Sequence, residues 1–507
     1  MKKIKVKVFK YDSEKREGPL YETYDVPDMP RATVLDVLEC INEVLGEGVA
    51  YRSSCGVRRC GQCGVLVNGK PSLACMEPAS NEMVIEPLPN FPVLRDLVVD
   101  RSGYDRRIVR LRPYLERLTT SENYPENINH GKIQSSAKLG QCIECLLCIA
   151  ACPSFEAAKG GFAGPSAMLQ LAKFAFDPRD KFPRAPMTLS EGIYDCTTCK
   201  KCEQVCPMEL NLPDTVIEKL RSIVVSEGLG PLKGHKIFAE LALKTGRVVE
   251  KMQTPLLETM PTLIEMENPK ETVGFFTGCL ADYRLQEVGK ALVNILSRNH
   301  IRVVAPREQI CCGSPLLRVG LVEEAKRAFV ERNILAFEKY EVKKVVTACP
   351  GCAMTWRKNY PLLSDEVLHR QPEFTVLHIS EYLARELELD SREMKSVDLK
   401  VTYHDPCHLS RGLGVTQEPR EIIKKIPGVK FKEMEKSDSC CGAGGGTRAG
   451  RRDLSYLIGN RKPEYFKRTG ADVMLTACPF CELQLKDLLG EHSQVLDLVE
   501  LVQKTYH

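Results

Sequence analysis

The residues in this chain that could do chemistry are cysteines: there are 23 in 507 residues, and all but Cys40 fall into spaced sets. CIECLLCIAACP (residues 142–153) and CTTCKKCEQVCP (196–207) both read C-x2-C-x2-C-x3-C-P. In that spacing three cysteines hold one 4Fe-4S cluster and the fourth crosses to the other. Cys142, Cys145, Cys148 and Cys206 are therefore expected on one cluster, and Cys152, Cys196, Cys199 and Cys202 on a second. The proline after each fourth cysteine lacks a backbone donor and sets φ where the chain leaves the cluster. Zinc is the alternative, but four-cysteine zinc sites usually come as two separated C-x2-C pairs. Upstream, Cys55, Cys60 and Cys63 form C-x4-C-x2-C with Cys75 further on, which is the spacing of a 2Fe-2S centre. Glycines 56, 61 and 64 would let backbone amides come close to its sulfides. Cys40 lies inside a helical pattern with no spaced partner and reads as a small buried hydrophobe.

The C-terminal part carries a different pattern, twice. The first copy has Cys279, the pair Cys311–Cys312 in CCG, and Cys349 with Cys352; the second has Cys407, Cys440–Cys441 and Cys478 with Cys481. The gaps are 31 and 36 residues in the first copy and 32 and 36 in the second, which points to duplication. Five cysteines are one more than a cubane or a tetrahedral zinc needs, and a vicinal pair chelates one small ion poorly. Soft iron-sulfur centres suit thiolates. GAGGG at 442–446 does not complete G-x-G-x-x-G, so no dinucleotide site is read there. Trp356, the single tryptophan, reads as core.

These ligands need scaffolds of several kinds. IKVKVFKY alternates apolar and polar, and a turn around Gly18–Pro19 returns it through YETYDVP as a hairpin. TVLDVLECINEVL has helical spacing, and NGK at 68–70 turns the chain back toward Cys75. DTVIEKLRSIVV is helical with Asp214 as its expected cap, and the proline-bearing stretch up to residue 270 reads as a linker or surface loop. In each repeat, apolar strand runs such as VTYH and VMLTA alternate with helical stretches, implying two α/β domains with parallel sheets and cysteines at strand ends. A net charge of +4 and a pI near 8.1 are too mild to indicate nucleic acid. The start MKKIKVKVFKYDSEK has no apolar h-region, so a cytoplasmic protein is expected. No apolar run reaches about eighteen residues, so no transmembrane helix is expected.

Beyond the cysteines, NGKPSLAC (68–75), AGPSAMLQLAKFAFDPRD (163–180) and CPMELNLP (206–213) make residues 1 to about 225 resemble the iron-sulfur subunit of the succinate dehydrogenase and fumarate reductase family. The resemblance implies a β-grasp 2Fe-2S ferredoxin domain at 1–98, a helical domain with two cubane clusters at 99–225, and a partner flavoprotein carrying FAD. Quinone-linked members usually lack a cysteine at the position of Cys199 and hold a 3Fe-4S cluster beside a quinone. Cys199 is present here, so a full 4Fe-4S centre is expected. After a linker at 226–270, residues 271–395 and 396–507 resemble the CCG-domain catalytic subunit of heterodisulfide reductases. That resemblance implies two noncubane 4Fe-4S clusters on the five-cysteine sets, either side of a disulfide substrate. It also implies groups for the sulfonate of coenzyme M and the phosphate of coenzyme B, with His408, Arg411 and Arg448 as candidates. The whole resembles the iron-sulfur subunits of thiol-dependent fumarate reductases, which oxidise the two thiols and send the electrons to fumarate. A quinone-linked succinate dehydrogenase or fumarate reductase subunit and an electron-transfer subunit of a 2-hydroxy-acid oxidase are the alternatives.

Overall fold

The alternation in IKVKVFKY puts Ile4, Val6 and Val8 on one buried face. The computed structural model describes residues 2–15, 18–117, 128, 130–387, 389–490 and 494–506. It divides into two units, Met1–Ile193 with Lys200–Leu220, and Tyr194–Cys199 with Arg221–His507.

In the first unit, strand Lys3–Lys10 pairs antiparallel with Leu20–Pro27 and parallel with Met83–Glu86; the sheet continues through Gly64–Val67 to Lys70–Leu73. Asn68 and Gly69, at φ 48° and 76°, form the two-residue turn expected at NGK. Helix Val34–Glu43 covers this sheet with Val34, Val37, Leu38 and Ile41. It starts at a capping box, in which the Thr33 hydroxyl accepts from Asp36 N and the Asp36 carboxylate accepts from Thr33 N at 2.7 Å. Cys40 is buried in this core, as expected. The remainder of the unit is built of short helices, with Pro165–Ala175 the most buried. Asp214 does not cap the helix after it: its carboxylate takes the Lys200 ammonium at 2.7 Å, and Asn211 Oδ1 accepts from Asp214 N.

The second unit holds the duplication as two parallel sheets of matching order. The first runs Ile301–Val304, Glu271–Phe275, Lys344–Thr347, Thr375–His378; the second runs Val429–Phe431, Leu399–His404, Val473–Thr476, Gln494–Asp497. Both repeats contribute to one hydrophobic core, from Leu256 to Val502. Trp356 is buried, 5.6 Å from the Phe276 ring and 4.0 Å from that of Tyr360.

Residues 226–270, expected as a linker, are built into this unit. Helix Lys233–Thr245 buries His235, Ala239 and Ala242, and Leu256 and Leu257 enter the core. Leu263–Ile264 adds an antiparallel edge strand to the first sheet. Pro255, Pro261 and Pro269 break the periodicity in the later part of this stretch, so a period-based reading misses the burial of Leu256 and Leu257. Among the described residues no helix is long and apolar enough to cross a membrane.

Candidate functional site

None of the 23 cysteines is in a disulfide among the described residues. Around Cys55 the loop turns its amides onto the sulfur: Val57, Arg59 and Cys60 N–H lie 3.4, 3.2 and 3.3 Å away. These donors, Val57 foremost, bring the thiol down to about 6. Cys63 precedes the strand that pairs with the Cys75 side of the hairpin, and its carbonyl accepts from Ala74 N at 2.8 Å. Gly56 has open space around it. A Cβ on Gly61 would meet the Ile143 carbonyl at 2.3 Å, and one on Gly64 the Cys145 carbonyl at 3.2 Å. These two glycines thus serve the packing of the 2Fe-2S loop on the 142–148 motif.

Cys142, Cys145, Cys148 and the distant Cys206 line one small cavity. Burial pushes the Cys145 thiol up to about 12 and Cys148 well above its ordinary value. Thiols this hard to ionise would become thiolate ligands only with a metal present to stabilise the charge, which a cluster on this C-x2-C-x2-C-x3-C spacing would supply. The motif backbones repeat: Glu144 and Leu146, then Thr198 and Lys200, all have positive φ (49°, 63°, 51° and 62°). Bulky residues seldom adopt that conformation, and it concentrates at functional sites. Cys152, Cys196, Cys199 and Cys202 are all buried. Cys152 and Cys202 fall in the first unit, Cys196 and Cys199 in the second.

Segment 194–199 is clamped within the second unit. Buried Arg221 donates to the Cys196 carbonyl at 2.7 Å, and the Arg411 Nε to the Cys199 carbonyl at 2.7 Å. A Cβ on Gly444 would lie 2.5 Å from the Thr197 carbonyl, and one on Gly445 2.5 Å from the Cys196 carbonyl. The glycine run therefore admits this backbone. Cys199 packs with Cys407 and Cys440 of the second repeat.

In both repeats the cysteines follow the C-terminal ends of parallel strands, where α/β sheets place their sites. Cys279 and Cys407 lie in the helices Gly278–Tyr283 and Cys407–Leu413, after the first strand of each sheet. Cys349 and Cys478 are N-cap residues with Pro350 and Pro479 next, so the first helical turns carry Cys352 and Cys481. Cys311, Cys312 and Cys440 accept N–H bonds from Gly313, Ser314 and Gly442 at 3.4, 3.5 and 3.3 Å. Cys441 and Cys481 Sγ are 3.5 Å apart. The two sets face a shared cavity of about 360 Å³, lined by all five cysteines of the first repeat and by Cys407, Cys441, Cys478 and Cys481. Five thiols in each repeat, with backbone N–H donors on the CCG sulfurs, fit a thiolate-ligated cluster at each end.

Of the three residues expected near substrate, His408 and Arg448 line this cavity; Arg448 also pairs with Asp487 and Gln484. Arg411 is not among the lining residues: its Nη1 is held by Asp438, at 2.8 Å from the carbonyl and 3.1 Å from the carboxylate. Sequence reasoning missed Arg318, a buried cation on the cavity wall whose Nη2 donates to Asn359 Oδ1 at 3.2 Å. Its place six residues after Cys312, beside Arg448 seven after Cys441, was the available signal. It also missed the apolar wall formed by Phe238, Val248 and Val249 from the supposed linker.

Comparison with known proteins agrees with this layout. A 2Fe-2S iron-sulfur cluster binding domain matches residues 5–106, a 4Fe-4S dicluster domain 138–210, and a cysteine-rich domain both 273–357 and 401–486. A subunit of the fumarate reductase (CoM/CoB) of Methanothermobacter marburgensis is 41% identical over 99% of this chain and 99% of its own length. A subunit of the dihydromethanophenazine:CoB–CoM heterodisulfide reductase of Methanosarcina barkeri is 33% identical over 72% of this chain and 93% of its own. A hypothetical protein from Helicobacter pylori, 14% identical, covers 100% of this chain and 95% of its own with a TM-score of 0.64, a likeness of fold. The chain therefore belongs to the family of that fumarate reductase (CoM/CoB) subunit, iron-sulfur electron-transfer proteins of oxidoreductase complexes.

Proposed function

We propose that this chain is the iron-sulfur subunit of a fumarate reductase that oxidises coenzyme M and coenzyme B thiols to their heterodisulfide. Overall, the two thiols give up two protons and two electrons and form an S–S bond; fumarate takes both and becomes succinate on an FAD-bearing partner. One observation carries the reading: a single cavity reaches all five cysteines of the first set and four of the second, so two thiols can each lie against one set and still meet. Clusters bound at the cysteine sets supply single-electron carriers between the thiols and the flavin. The chain's own residues bind and orient. Phe238, Val248 and Val249 shield one wall, while Arg318, His408 and Arg448 offer donors and positive charge to sulfonate or phosphate groups. Cys199 and the complete second set favour thiols over a quinone as the electron source.

The test is fumarate-dependent loss of free thiol by the anaerobic complex of this chain with its flavoprotein, given coenzyme M and coenzyme B. Activity should need both thiols and fall at least about a hundredfold in Cys312→Ser and in Cys441→Ser. Fumarate reduction by a dye with no thiol dependence would move the C-terminal half to a quinone or another donor.

A further inference from the structure

The two repeats differ in one buried side chain beside their cysteines. When Cys279 is matched with Cys407, Phe276 of the first repeat stands where the second has His404. Phe276 is wholly buried and joins an aromatic cluster, 6.2 Å from the Phe337 ring. His404, at the end of strand Leu399–His404, is equally buried at 1% exposure, but neither ring nitrogen has an aligned hydrogen-bond partner. Leaving both nitrogens of a buried imidazole unpaired is costly. The charged groups facing it are taken. The Lys462 ammonium donates to the carbonyls of Lys436 and Ser437 at 3.0 and 2.8 Å, and the Asp405 carboxylate holds Arg420 at 2.9 and 2.7 Å. What remains are sulfurs: a ring nitrogen of His404 and the Sγ atoms of Cys441 and Cys481 all lie within 4.8 Å of one another.

We propose that His404 donates a ring N–H to the Cys441 sulfur of the second five-cysteine site, a bond that Phe276 denies the first. The inference rests on the proposed function only in taking the five-cysteine sets as cluster sites. An N–H donated to a ligating sulfur stabilises the more negative, reduced state, so the second site has the higher potential of an otherwise matched pair.

The experiment is an anaerobic potentiometric titration of the full-length protein followed by electron paramagnetic resonance, with Cys349→Ser and Cys478→Ser assigning the signals to the first and second sites. In His404→Phe the reduced-to-oxidised ratio of the second site at fixed potential should fall about tenfold, about 59 mV for a one-electron couple. The first site's signal should not move. Phenylalanine already fits the matching position of the first repeat, and His404→Gln, which keeps an N–H donor, should recover most of the shift. In wild-type protein labelled with 15N-histidine, pulsed resonance should show a weak nitrogen coupling at the second site only. Normal signals with unchanged potential in His404→Phe, or a strong coupling from nitrogen bound directly to iron, would overturn the inference and leave the proposed function standing. Absence of any signal from the second cysteine set would overturn both.

Discussion

Replacing Arg221 with Met takes a fully buried guanidinium out of the second unit. Its Nη1 donates to the carbonyls of Arg318 (2.6 Å) and Gly445 (2.8 Å), its Nη2 to that of Cys196 (2.7 Å), and it lies 5.2 Å from the Tyr194 ring centroid. Methionine fills much of the volume and makes none of these bonds. Orphaning a buried acceptor costs about 1–3 kcal/mol. Removing the cation also removes its desolvation penalty, which offsets part of the loss and puts each carbonyl near the low end, about 1 kcal/mol. The Cys196 carbonyl keeps the Thr447 hydroxyl at 3.4 Å, so two carbonyls are orphaned at a cost of about 2 kcal/mol, and at about 2–4 °C per kcal/mol for a large domain the transition falls by about 4–8 °C. Anaerobic scanning calorimetry of the intact protein reads this directly. Arg221→Lys should lie between, because one ammonium cannot reach three carbonyls in a guanidinium's plane. A Met variant as stable as the wild type, or a Lys variant less stable than Met, would refute the clamp.

Two further outcomes are expected. Gly61→Ala should destabilise the first unit by more than about 2 kcal/mol, because strain at φ +68° adds to a Cβ 2.3 Å from the Ile143 carbonyl; Gly56→Ala, at φ +66° in open space, should cost only about 1 kcal/mol. Chemical denaturation followed through the visible absorbance of the 2Fe-2S centre compares them, and equal losses would show that the close approach is not what requires glycine. Burial first, helped by Arg221, holds His235 at about 4, and burial does the same for His378. The unfolded chain takes up these protons near pH 6.5 and the folded one does not, so stability is full above about 6.5 and is lost as pH falls toward 4. The loss is about 3 kcal/mol per histidine at most. Urea midpoints measured between pH 4 and 7 should show this slope, and His235→Phe, which removes the titrating ring and its bond to the Gly446 carbonyl, should flatten it. An unchanged slope in that variant would count against the assignment.

Ligand spacing, the duplication and the local turns could be read from the sequence because they are properties of short stretches of chain. C-x2-C-x2-C-x3-C-P is a chelate loop whose reach is set by covalent geometry, and the Asn68–Gly69 turn and the Thr33 cap depend on near neighbours. The matching gaps in the two repeats likewise pointed to two α/β sheets, and these have the same strand order. Contacts between distant segments were not legible. The GAGGG run, which completes no dinucleotide motif, has its reason in the fold: Gly444 and Gly445 are needed because the 196–197 backbone passes within van der Waals distance. Arg411, which looked ready for an anion, holds the Cys199 carbonyl instead, while Arg318, marked only by its offset from Cys312, reaches the cavity. Residues 251–264 lost their local signals to Pro255 and Pro261, though tertiary packing puts Leu256 and Leu257 in the core, and Phe238, Val248 and Val249 just upstream form a cavity wall. A sequence specifies which groups can bind a metal at short range; which backbone must come close to which, and which charge is left facing the cavity, is settled only when the elements pack.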